Sequence, residues 1–69
     1  MRKTSGQLLQ LPDGSYGMAY AADQAAAPAG KLVIRLVDDR FKPIFSETTG
    51  RQAFVFLKPS EVRGIGMFD

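Results

Sequence analysis

The apolar positions of this chain fall in short alternating runs separated by turn-forming residues. From Lys31 to Val37 (KLVIRLV), Leu32, Ile34 and Leu36 share one face while Val33, Arg35 and Val37 share the other. That is the period-two signature of a strand. Both faces are largely apolar, which predicts a central strand with partial cover on its second face. Arg51 to Lys58 (RQAFVFLK) forms a second strong strand pattern, with Ala53, Val55 and Leu57 opposed to Phe54 and Phe56. Two phenylalanines on one side require cover by another layer or another subunit. Tyr16, Met18 and Tyr20 alternate with Gly17, Ala19 and Ala21, bulky on one face and small on the other. The small face predicts close approach of another layer. The run from Gly6 to Leu11 leads into Pro12-Asp13-Gly14-Ser15, where Asp-Gly predicts a two-residue type I′ hairpin turn.

The remaining segments are punctuation and short connections. Residues 22–30 are rich in alanine and closed by Pro28 and Gly30, which predicts an excursion between strands with room for one helical turn. Asp38-Asp39-Arg40 and Glu47-Thr48-Thr49-Gly50 read as turns. Between them, Phe41 to Ser46 is a weaker strand pattern that Pro43 confines to an edge. Pro59 and Ser60 suit the start of a single helical turn, and Arg63 to Phe68 forms a last short strand. Residues 1–6 precede the pattern and read as a flexible N-terminal segment, with one domain over 7–69.

The order hairpin, excursion, strand, turn, strand, helical turn, strand resembles the SH3-like small barrels. In those folds about five bent strands close on themselves, and one 3₁₀ turn precedes the last strand. The resemblance implies a mostly-β fold, a five- or six-stranded SH3-like small barrel with its 3₁₀ turn at residues 58–62. It does not extend to peptide-binding SH3 domains, since their ALYDY-type segment is absent and the chain has no tryptophan. The plasmid-borne type II dihydrofolate reductases are similar in shape and size, with a Val-Gln-Ile-Tyr segment before a proline on the penultimate strand. The matching residues here are Val55-Phe56-Leu57-Lys58 before Pro59. The glutamine and tyrosine are missing, so the activity does not follow.

Composition narrows the chemistry further. In 69 residues there is neither cysteine nor histidine, which removes disulfides, thiolate metal sites and the commonest acid/base group at neutral pH. Nucleophilic catalysis by Ser–His or Cys–His pairs is excluded. Asp38-Asp39 is the only adjacent carboxylate pair and reads as a turn former. Gly14 with Gly17, and Gly64 with Gly66, lack a following helix to cradle phosphate. No apolar run is long enough for a signal peptide or a membrane span, and the expected location is the cytoplasm. The net charge of +2 is spread over single basic residues, Arg2-Lys3 being the one adjacent pair.

A chain this short buries only about 60% of its unfolded surface, so self-association that hides a further apolar face is a natural route to stability. The expectation is therefore a binding or assembly module without catalysis, cofactor or metal. Its partner is expected to be a second copy or another protein, with nucleic acid as the alternative. The candidate surface consists of Tyr16, Tyr20, Phe54 and Phe56 with the nearby cations Arg35, Lys58 and Arg63. A dry patch favours self-association, whereas basic residues around the rings favour stacked bases.

Overall fold

The computed structural model describes residues 5–68. Five strands form one antiparallel sheet: β1 (Gly6–Gln10), β2 (Tyr16–Tyr20), β3 (Leu32–Val37), β4 (Phe54–Leu57) and β5 (Arg63–Phe68). Their order across the sheet is β4-β3-β2-β1-β5. A 3₁₀ segment (Ala21–Ala26) follows β2, and a 3₁₀ turn (Pro59–Glu61) precedes β5 at the position the sequence predicts. The expected mostly-β fold is thus present, with five strands. Among the described residues no ladder joins β4 to β5, so the sheet is open rather than hydrogen-bonded into a closed cylinder.

The sheet nevertheless curls. The Cα trace measures 29 × 24 × 23 Å, too thick for one flat sheet, whose neighbouring layer would be needed about 10 Å away. Leu9, Leu11, Ala19 and Ile34 meet in one buried cluster, with Leu32, Leu36, Val55, Leu57 and Val62 packed against it. One face of the sheet therefore closes on itself. The pairing Gly17↔Leu36 puts the small face of β2 inside. A β-carbon on Gly17 would collide with Ile34 Cγ2 and lie 3.1 Å from the Arg35 carbonyl oxygen. Glycine is what lets fully buried Ile34 approach.

Several local expectations change. The β1–β2 connection is not a two-residue type I′ turn, because Gly14 alone there has positive φ. Pro12, whose ring fixes φ near −65°, instead opens a longer loop. In it the Gly14 N–H donates to the Leu11 carbonyl (3.0 Å) and the Leu11 N–H to Ser15 (2.8 Å). Phe41–Ser46 is not a strand. Phe41 is left-handed at φ 62° and only isolated bridges, Val37↔Pro43 and Phe45↔Gln52, tie the segment down. The Lys42 N–H turns back to the Asp38 side chain, so the pairing with β3 goes no further along the segment. Gly6, assigned by pattern to the flexible segment, is the first residue of β1. The rest of that expectation, on residues 1–4, lies outside the described residues.

Gly17→Ala is expected to destabilise the fold by about 1–3 kcal/mol, the usual cost of overpacking a filled core. The urea midpoint measures it, and an unchanged midpoint would show that the Gly17–Ile34 contact is not limiting.

Candidate functional site

The outer face of the sheet is built by the alternate residues. The register Arg35↔Phe54 and Val33↔Phe56 brings β3 and β4 side chains together there, and Met18↔Arg35 adds β2. The 3₁₀ segment 21–26 lies over β3. Its Gln24 acts as a surrogate strand: the Val33 N–H donates to Gln24 Oε1 (3.0 Å), and Gln24 Nε2 donates to the Val33 carbonyl (3.1 Å). The same Nε2 donates to the Tyr20 carbonyl (2.7 Å). One carboxamide thus satisfies backbone groups of β3 beyond the reach of β2, whose pairing with β3 stops at Met18↔Arg35.

Arg35 is held from two sides. Its Nε and Nη2 donate to the Asp23 carboxylate at 2.7 and 2.8 Å, the paired geometry that favours guanidinium–carboxylate contacts. Its Cζ sits 4.9 Å from the Tyr20 ring centroid. The Asp23 hydrogen bond holds the Arg35 pKa above its usual value, so the guanidinium stays charged and neutralised in place.

The seven surface residues singled out in the sequence separate into groups. Arg35, Phe54 and Phe56 line an open cleft of about 480 Å³, together with Ala22, Asp23, Ala26, Val33, Arg51 and Gln52. Phe54 and Phe56 are 55% and 42% exposed and meet edge-to-face, with ring centroids 5.4 Å apart. Tyr20 is half-buried against Phe68 and touches the cleft only through Arg35. Tyr16 is half-buried and packs on Phe41, ring centroids 5.4 Å apart. Lys58 is exposed at the end of β4, where its backbone N–H donates to Glu61 Oε1. Arg63 pairs with Gln10 on β5, at the opposite edge of the sheet, so it is not part of this surface.

Asp23, Gln24 and Arg51 belong to the site and were not singled out beforehand. The signal for the first two is an adjacent polar pair inside an alanine-rich tract. Arg51 also lines an adjoining cleft of about 620 Å³ with Ser46, Thr49, Gln52, Ala53 and Phe54. No group of three metal-ligating side chains occurs among the described residues, and no helix there is long and apolar enough to cross a membrane. The arrangement offers an apolar floor, one neutralised ion pair and one cation at the rim, which suits binding by contact.

No family model, curated protein or solved structure matches the chain. What the fold defines is a small all-β protein with an open sheet and an uncovered aromatic strand.

The turn that carries Phe41 makes a pH prediction. Asp38 Oδ1 accepts the N–H groups of Lys42 (2.9 Å) and Arg40 (2.8 Å). The Lys42 backbone bond, followed by that of Arg40 and the nearby positive charges, holds the Asp38 pKa below its usual 3.8. A carboxyl with a lowered folded-state pKa stabilises the fold above its unfolded value and loses that contribution as pH falls through the lowered one. The melting-temperature gap between the wild type and Asp38→Ala is therefore expected to be full above about pH 4 and to shrink below it. Parallel melting curves across that range would contradict the assignment.

Proposed function

We propose that this protein is a non-catalytic assembly module that associates with a second copy of itself through β4. The observation that supports this reading most is the exposure of Phe54 and Phe56, side by side on an edge strand, at 55% and 42%. Phe45 is more exposed still, at 62%, but lies outside the strands, whereas the outward tyrosines of β2 behave differently. Tyr16 and Tyr20 are half-buried and each has a ring partner from elsewhere in the chain. Phe54 and Phe56 have mainly each other. A contiguous apolar patch at a sheet edge is the usual mark of an interaction surface, and burying it supplies stability that so short a chain has difficulty finding internally.

Nucleic acid is the weaker reading. A base-stacking surface gathers cations around its rings, and here Arg35 is neutralised by Asp23 while Arg63 sits at the far edge. Arg51 and Lys58 are the cations left near Phe54 and Phe56.

Light scattering on a size-exclusion column tests the proposal. The wild type is expected to form an oligomer that Phe56→Ala weakens, on the order of tenfold or more in dissociation constant for a lost aromatic anchor, and that Lys42→Ala leaves unchanged. A strict monomer at high concentration, or equal effects of the two substitutions, would overturn it. Salt-sensitive binding to DNA or RNA by the monomer would support the other reading instead.

A further inference from the structure

We propose that β4 pairs with β4 of a second copy as an antiparallel ladder centred on Val55, with Phe54 of each chain opposite Phe56 of the other. This rests on the self-association reading and adds which atoms meet. Antiparallel ladders alternate hydrogen-bonded and non-bonded pairs. The Leu36 N–H donates to the Ala53 carbonyl at 2.8 Å, so the bonded phase of β4 toward β3 falls on Ala53, Val55 and Leu57. Phe54 and Phe56 stand in the non-bonded pairs Arg35↔Phe54 and Val33↔Phe56. Val33 confirms the phase independently, because its own N–H and carbonyl both turn away to Gln24. The N–H and C=O of Phe54 and Phe56 therefore point across the outer edge of β4, where no strand lies among the described residues.

That phase restricts how two copies can meet. About a two-fold axis normal to the sheet, outward-pointing residues must face one another. The registers centred on β4 place Phe54 opposite Phe54, Phe56 opposite Phe56, or Phe54 opposite Phe56. Only the last engages the outward groups of both phenylalanines from both chains with each other and sets ring opposite ring at two places. It also brings Lys58 opposite Gln52 of the second copy. Gln52 donates Nε2 to the Leu36 carbonyl and keeps Oε1 as an acceptor for an ammonium, so no cation faces a cation along the paired stretch.

The other edge fits less well. The β1–β5 register shifts between Leu8 and Leu9, and β5 carries Gly64 and Gly66. Such irregularity blunts an edge against pairing. Joining β4 to a neighbour's β5 would also be head-to-tail, whereas β4 on β4 closes at two chains.

The chain contains no cysteine, so an introduced one reports alone. Val55→Cys places two thiols at the axis in a non-bonded pair, where Cα atoms lie about 4.5 Å apart, inside the disulfide range. Ala53→Cys places its two thiols about 13 Å apart along the strands. At a concentration where light scattering gives a dimer, mild oxidation is expected to cross-link Val55→Cys on the order of tenfold faster than Ala53→Cys. A 1:1 mixture of Ala53→Cys and Leu57→Cys chains is expected to cross-link between unlike chains, which decides the register even if Val55→Cys does not fold. A dimer in which neither Val55→Cys nor the mixture cross-links faster than Ala53→Cys alone would overturn the register and leave self-association standing. A wild-type monomer at every concentration would overturn the reading beneath it.

Discussion

The contact between Gly17 and Ile34 governs the rest of the structure. A single five-stranded sheet has no second layer, so it buries a core only by curling one face onto itself. That demands a β2 whose inner side is nearly bare backbone. Gly17 and Ala19 meet the demand, and Ile34 fills the space completely. The alternation that puts small residues inside puts Tyr16, Met18 and Tyr20 outside. The outer face then carries more apolar mass than an ordinary exposed sheet, and it must find cover elsewhere.

The segment 21–26 supplies part of that cover. Gln24 takes the place of a strand beside Val33, and Asp23 fixes Arg35 over the Tyr20 ring. The backbone gains as much as the side chains, because a buried N–H or C=O without a partner costs about 1–3 kcal/mol. The cover ends at β3, however. Ala22, Asp23 and Ala26 are the residues of this segment that line the cleft beside β4, and their short side chains do not fill it. Exposure of Phe54 and Phe56 thus follows from where the 3₁₀ segment stops rather than from an accident of one side chain.

Much of this was legible in the chain before any coordinates. Period-two alternation located β2, β3 and β4, and Pro59 with Ser60 marked the turn before β5. The bulky-and-small alternation of residues 16–21 implied close approach of another layer; the approach is real, but it comes from Ile34 of the neighbouring strand in the same curled sheet. Patterns failed where a backbone feature outweighed composition. Pro12 moved the first turn away from type I′, and left-handed Phe41 with the Asp38 turn kept 41–46 from forming a strand. The site was half legible. Two phenylalanines on one face announced themselves, but the grouping of Arg35 with Asp23 links residues twelve apart through an irregular segment. No periodicity records such a contact. Arg63 went astray for the same reason, since its distance from β4 depends on strand order and not on its own neighbours.

Charge placement bears on the proposed pairing of β4 and on its limit at two chains. Open edges invite indefinite strand addition, and proteins commonly guard them with lysine, proline or a bulge. Here β5 is guarded by its register shift and glycines. The central residues of β4, Phe54 to Leu57, have no charge, proline or bulge, whereas Arg51 and Lys58 bracket the strand. The bracket leaves the uncharged stretch between the two cations free for one centred partner. A two-fold contact of the proposed kind would occupy the one regular free edge among the described residues. The features that leave β4 receptive therefore limit what it can build, from an open sheet toward a closed pair.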